Sequence, residues 1–186
     1  MSGGKFFSTV FNSFILVRWI IVAMVVIVLA VVFLGVPLAV SGQSMEPNFQ
    51  SGEVVLVQRL SYTNNKPIER GDVVAAKFPA DPKHTKLIKR VIGLPGETVT
   101  ISTDGVIYIN GVALNEPYEI NHGTPPYDVI GTTKLGEDQY FLMGDNRPGS
   151  SDSRLWGPVN KSDIEGQISF VLWPIAKIRY VLRINY

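Results

Sequence analysis

The chain has 186 residues, with 17 Lys plus Arg set against 16 Asp plus Glu and no cysteine. A near-neutral balance with no basic run or aromatic-basic interleaving leaves no footprint for nucleic acid. The missing cysteines exclude disulfides, thiolate metal sites and cysteine nucleophiles together. His84 and His122 stand apart from each other and from any acidic cluster at ligand spacing, so no metal is expected.

In chain order, the first element is an uncharged apolar stretch from Trp19 to Val40. Its length of about 22 residues is enough to cross a hydrocarbon core of roughly 30 Å as a helix. The run has no polar face at helical spacing, which argues against a buried core helix. Ala39-Val40-Ser41 fits a small-x-small cleavage site, but a cleavable signal usually has an apolar core of only about 7–15 residues. The expectation is therefore one uncleaved transmembrane anchor over residues 19–40. Lys5 and Arg18 precede it, and the next basic residue is Arg59. The positive-inside bias puts a short N-terminus, residues 1–18, in the cytoplasm and residues 41–186 on the extracytoplasmic side of the cytoplasmic membrane.

Residues 41–186 are the size of one ordinary domain. Short runs rich in Val, Ile and Thr follow, punctuated by turn residues. Strands are expected at 53–57, 72–76, 87–92 and 98–102. Asp104-Gly105 reads as a hairpin turn into a strand at 106–109, closed by Asn110-Gly111. Two more strands are expected at 139–143 and 168–172. The stretch 115–133, with Pro117, Gly123, Pro125, Pro126 and Gly131, reads as an extended loop. No segment after Val40 keeps a helical period over three turns. The expected fold is mainly β: an antiparallel sheet domain with partial barrel or sandwich closure behind one N-terminal helix.

Ser44 lies four residues past the apolar run, so a candidate nucleophile is expected at a membrane surface. A serine hydroxyl needs a base within hydrogen-bond reach, and neither histidine stands in a motif that would supply one. A neutral lysine is the alternative, because desolvation disfavours the ammonium. Lys89 has that setting, with Leu87 and Ile88 before it and Val91 and Ile92 behind; the other lysines sit in polar or turn-like surroundings.

Four segments in order, SGQSMEP at 41–47, RGDVV at 70–74, KRVIGLPGE at 89–97 and GDNRPGSSDSRLWGPV at 144–159, resemble the signature boxes of bacterial type I signal peptidases. These are Ser–Lys endopeptidases that cut signal peptides from exported preproteins. The likeness runs from the anchor to about residue 173. It implies Ser44 as nucleophile, Lys89 as general base and Ser150 as the hydroxyl that orients the lysine. It also implies an oxyanion donor in the Ser44 backbone amide, ion pairs Arg90–Asp145 and Asp152–Arg154 as supports, and Met45 and Ile88 lining a shallow pocket for a small side chain. The implied substrates are signal peptides of Ala-x-Ala type, bound as an extended strand at a sheet edge and cleaved through an acyl-enzyme. No cofactor or metal is implied, and oligomeric state stays open.

Three departures stand out. Gly42 occupies a position where some relatives carry a serine that donates to the oxyanion, which leaves Ser41 or the backbone to compensate. Asn48 replaces a common threonine, a change expected to touch a turn and not the chemistry. There is one anchor where some relatives have two. Phe49 and Trp156 are apolar candidates for dipping into the membrane interface. Two rival readings are a self-cleaving regulator with a Ser–Lys pair and a non-enzymatic anchored β domain that binds peptides. The membrane span and the GDNR box oppose the first, and the joint presence of Ser44, Lys89 and Ser150 opposes the second.

Overall fold

The computed structural model describes residues 3–62, 66–79, 81, 85–123, 131–184 and 186, with side chains of the first helix described for residues 13–27 and 29. His84 and the Pro125-Pro126 part of the expected loop lie outside the described residues. The chain divides into two compact units, Met1–Gly35 and Val36–Tyr186.

The first unit is a single helix, α1, Gly3–Leu34. Its interior lacks proline, and the stop has two physical causes: Gly35 takes a positive φ of 108°, and Pro37, two residues on, has no N–H to continue the ladder. The described side chains of residues 13–27 and 29 are all exposed. Among the described residues no helix is long and apolar enough to cross a membrane. The expected helical span to Val40 is corrected at its end. Residues 36–39 are strand β1, Val36–Ala39, paired antiparallel with β2, Val54–Gln58, in the register Val36↔Val57 to Ala39↔Val54. That pairing supplies these residues with backbone partners that a proline-broken helix could not.

The second unit is mainly β. After β1 and β2 come β3 (Val73–Lys77), β4 (Lys86–Gly93), β5 (Thr98–Ile101), β6 (Ile107–Ile109), β7 (Val112–Ala113), β8 (Gly131–Lys134) and β9 (Gln139–Met143), then β10 (Val159–Asn160), β11 (Ile164–Trp173) and β12 (Arg179–Tyr180). The larger sheet runs β1-β2-β11-β3-β4-β9-β10, with β12 on β11, and the smaller β7-β6-β5-β8. All these strand pairs are antiparallel. The larger sheet is an open path among the described residues. Bulges between Ile164 and Gly166, Ile168 and Phe170, Val171 and Trp173, and in β4 between Val91 and Gly93 bend it.

The seven expected strands all appear, with ends shifted by a residue or so except that β11 starts four residues earlier. The short strands β1, β7, β8, β10 and β12 go beyond the expectation. The expected loop at 115–133 ends early, because the β-branched Thr132 and Thr133 join β8, where the Thr132 and Thr100 hydroxyls meet at 3.0 Å. The helix after residue 40 among the described residues is one short α-turn, α2 (Ser153–Trp156), and three 3-10 turns.

Period-2 alternation divides the core. In β3, Val73 and Ala75 enter one cluster with Met45, Phe49, Val55, Ile88 and Ile168, while Val74 and Ala76 enter another with Val91, Leu142 and Val159. β3 is thus buried on both faces. A third cluster joins Ile92, Phe141 and Met143 to the smaller sheet through Val99, Ile107 and Ile109. Phe49 and Trp156 do not fit the interfacial expectation. Phe49 is buried, and Trp156 packs on the second cluster with its ring 5.8 Å from that of Phe78.

At the β4 bulge, a Cβ on Gly93 would lie 2.5 Å from Val99 Cγ2, 2.7 Å from Leu135 Cδ1 and 2.9 Å from Phe141 Cβ. Those neighbours are packed and cannot yield without strain. Gly93→Ala is expected to lower unfolding stability by about 1–3 kcal/mol, read by denaturant titration; an unchanged midpoint would contradict this packing.

Candidate active site

Ser44 opens the turn at residues 44–48 that links β1 to β2. Apolar side chains pin the turn from below: Met45, only 1% exposed, and Phe49 are both in the first core cluster. Two backbone bonds close it, Glu46 N to Gln43 O at 3.1 Å and Phe49 N to Met45 O at 2.9 Å. From the other side, Asn146 donates its backbone N–H to Ser44 O at 3.1 Å and its side-chain amide to Gln43 O at 3.0 Å. The nucleophile's backbone is thus held by the box that begins at Gly144.

Lys89 comes from β4, opposite Val74 of β3. It is 2% exposed, and its Nζ lies 2.7 Å from Ser44 Oγ. Burial pushes its pKa down from 10.5 to about 8, opposed by the Asp152 and Asp145 carboxylates and assisted by the Arg154 guanidinium. In the neutral form the amine can accept the proton that Ser44 donates, which is the geometry of an activated serine.

Ser150 departs from its expected part. Its Oγ is buried with no hydrogen-bond partner, so the expected bond to Lys89 is not formed. It is nonetheless adjacent: a Cβ built on Gly144 would lie 2.3 Å from Ser150 Oγ and 2.3 Å from Ser44 O. Only glycine permits the two serine segments to close over residue 144. The Ser150 hydroxyl thus packs beside Gly144 without a hydrogen bond to the amine.

Two carboxylate–guanidinium pairs frame the site. Arg90 donates Nε to Asp145 Oδ1 at 2.8 Å and Nη2 to Oδ2 at 2.6 Å, with both side chains buried, and its Nη1 donates to Gly71 O at 3.0 Å. The Arg90 guanidinium carbon also lies 4.0 Å from the Tyr118 ring centroid. Asp152 accepts Arg154 Nε at 2.7 Å and Nη2 at 2.8 Å, caps α2 by accepting Arg154 N, and accepts Gly144 N at 3.0 Å. Two residues outside the expected site belong to this frame. Asn146 holds the Ser44 backbone. Asn48 donates to Asp145 Oδ2 at 2.9 Å and to Glu119 O at 2.7 Å, so the departure from threonine ties the nucleophile's turn to the Arg90 pair. Both stand in the quoted motifs or beside them, the only sequence signal they carry.

Met45 and Ile88 come together in the first core cluster, so they form one patch of packed side chains under the site. A cavity of about 540 Å³ opens beside the same turn, lined by Glu46, Pro47, Gln50, Glu119, Ile120 and Asn121. Gly42 has a φ of +83° with open space around a built Cβ; a serine there would meet backbone strain and no clash. Ser41 is exposed. Among the described residues no group of three or more histidine or acidic side chains is placed to hold a metal ion.

The model of the family described as signal peptidase, peptidase S26, matches residues 13–173. The chain belongs to that family. The peptidase is therefore a hydrolase of the serine endopeptidase class. It is 43% identical over 141 residues to "Signal peptidase I V" of Bacillus subtilis, covering 70% of this chain and 81% of that one. It is 33% identical over 164 residues to "Signal peptidase IB" of Staphylococcus aureus, covering 80% and 83%. With "Probable signal peptidase I-2" of Synechocystis it shares 36% identity over 143 residues, 75% of this chain but 63% of that protein, so it spans just under two thirds of that relative.

The low pKa of Lys89 has a cost in stability with a definite sign. The unfolded lysine holds its proton to about pH 10.5 and the folded one only to about 8. Between those values the unfolded chain binds more protons, so stability rises with pH. Below about 8 the buried ammonium destabilises the fold by roughly 3 kcal/mol, at 1.36 kcal/mol per unit. Lys89→Met is expected to be inactive yet more stable at pH 7, with the gain fading as pH rises from 8 to 10.5. Thermal unfolding across that range checks it, and equal or lower stability of Lys89→Met at pH 7 would contradict a strained amine.

Proposed function

We propose that this peptidase cleaves N-terminal signal peptides from exported preproteins, using Ser44 as nucleophile and Lys89 as general base. The observation that carries the reading is the 2.7 Å contact between a buried lysine amine and a serine hydroxyl in a chain of this family. The relatives' names supply the substrate class, and the chemistry follows from the pair.

A preprotein lays its cleavage segment as an added strand along residues 86–89 of β4, which pair with β3 on one side and lie before the stretch that pairs with β9 on the other. Neutral Lys89 takes the Ser44 proton, the oxygen attacks the carbonyl after a small residue, and the lysine gives the proton to the leaving amine. An acyl-enzyme on Ser44 remains. Lys89 then takes a proton from water, whose oxygen attacks the acyl carbon, and returns that proton to Ser44 Oγ as the ester bond breaks. The Ser44 amide meets the developing oxyanion, a preorganised donor of the kind worth most in acyl transfer. Helix α1 is the membrane anchor, supported by its run of exposed apolar side chains; the basic residues before the span place the catalytic domain on the extracytoplasmic side. Ser150, whose buried hydroxyl lies beside Gly144 without another partner, orients the amine in the reacting complex. Met45 and Ile88, packed together beside Ser44, bound a shallow pocket that admits an alanine-sized side chain at the first position before the cut, and Ala-x-Ala sites are the substrates that the family resemblance implies.

Incubating a purified preprotein with the full chain in detergent, with mass spectrometry of the product ends, tests the assignment. Ser44→Ala and Lys89→Ala should each abolish cleavage, and the double variant should be no worse than either single one, because the two act as a unit. The kcat/KM profile should climb on a limb near pH 8, where Lys89 loses its proton. Normal cleavage by folded Lys89→Ala, or a limb that follows replacement of His122, would remove the lysine from the mechanism.

The pocket is tested through the substrate. Preproteins with Leu or Phe in place of Ala at the first position before the cut should lose most of their kcat/KM, since overpacking costs about 1–3 kcal/mol. Equal rates for Leu and Ala would mean that Met45 and Ile88 do not bound the pocket.

A further inference from the structure

The segment from Lys177 to Tyr186 lies beyond the residues matched by the family and has no part in the chemistry above. Three of its side chains nonetheless reach the frame of the active site. Arg179 donates Nη2 to Asn48 O at 2.5 Å and faces Glu53 with contacts of 3.2 and 3.4 Å; its guanidinium carbon is 5.5 Å from the Phe49 ring centroid. Asn48 and Phe49 close the turn that begins at Ser44. Glu53 is 3% exposed, a buried carboxylate that Arg179 and, at 3.7 Å, Lys177 neutralise. Arg183 then pairs with Glu69 at 2.8 Å and with the buried Asp72 at 3.3 Å.

The last contact is on the lysine's side. Ile184 and Tyr186 lie flush on Gly71, where a built Cβ would be 3.0 Å from Ile184 Cβ and 2.8 Å from Tyr186 Cε2. Gly71 O accepts from Arg90, the residue after Lys89. The Tyr118 ring underlies the Arg90 guanidinium, and the Arg70 guanidinium carbon lies 6.0 Å from the Tyr186 ring centroid. One segment thus touches the turn of Ser44 at one end and the Gly71–Arg90 unit beside Lys89 at the other.

Ser44 and Lys89 are 45 positions apart on separate elements, and a misplacement of about 1 Å can cost roughly 100-fold in rate. We propose that Lys177–Tyr186 is a positioning strap for the reacting pair. In it, Arg179 fixes the turn of Ser44, and Tyr186 fixes the strand of Lys89 through Gly71 and Arg90. The proposal rests on Ser44 and Lys89 being that pair.

The test uses the full chain in detergent with Arg179→Ala and Tyr186→Ala. Two rates are read: preprotein cleavage, as kcat and KM, and covalent labelling of Ser44 by a small β-lactam acylating probe, which needs no extended peptide groove. In Arg179→Ala, kcat and labelling should fall together by about tenfold or more with KM little changed, and millimolar guanidinium should restore part of the labelling. Tyr186→Ala, a half-exposed site, should show the same pattern more weakly and decides the matter if Arg179→Ala does not fold. Labelling within about twofold of the parent in the folded variants, or a loss confined to KM, would overturn the strap. A parent chain that neither labels nor cleaves would instead overturn the Ser44–Lys89 reading itself.

Discussion

The desolvation of one amine organises this molecule. Lys89 is a charged residue type placed in a strand buried among Ile88, Val91 and Ile92, where an ammonium is unfavourable and a neutral amine is not. That penalty, which lowers stability at neutral pH, is also what leaves a lone pair facing Ser44. The same burial creates a second requirement. Two carboxylates lie near enough to Lys89 to raise its affinity for a proton, and each is engaged by its own guanidinium, Asp145 by Arg90 and Asp152 by Arg154. The Arg154 guanidinium offsets part of the carboxylates' effect on the lysine, and both arginines fix the loop geometry.

The frame around the pair is assembled from distant parts of the chain by a few directional contacts. Asn146 grips the carbonyls of Gln43 and Ser44, Asp152 holds the Gly144 amide, and Asn48 returns from the turn to Asp145. Gly144 lets these segments approach closer than any side chain would allow. A buried ion pair is weak evidence for stability, but as a device for holding Ser44 within hydrogen-bond reach of Lys89 it has a direct use here. The strap from Lys177 adds contacts of the same kind at Asn48 and Gly71.

Ser150 and Gly42 show where resemblance and geometry part. A family role for a serine does not ensure that its hydroxyl is bonded in the resting arrangement: the Ser150 hydroxyl is buried beside Gly144 without a hydrogen-bond partner. At Gly42, the backbone adopts a left-handed conformation that favours glycine, so the missing hydroxyl belongs to a local turn geometry as much as to the oxyanion.

The strands from 54 to 109, and those at 139–143 and 164–173, are legible because β-branched runs between turn residues write a local preference. The Ser44–Lys89 pair is legible because both residues stand in ordered motifs, and a lysine flanked by apolar strand residues must lose its hydration once that strand is buried. The end of the first helix is not legible: residues 36–39 are as apolar as the helix before them, and hydropathy does not register that Gly35 and Pro37 turn the chain into a strand. The two-residue strands and β8 are equally invisible, because their partners, not their own composition, make them strands. Local sequence thus determined which segments extend and which residues are candidates for the chemistry. Only the tertiary structure decided that Lys89 meets Ser44 and not Ser150, that Met45 is packed into the core, and that Asn48, Asn146 and the segment ending at Tyr186 converge on the site, because those contacts join residues tens of positions apart whose distance no local pattern encodes.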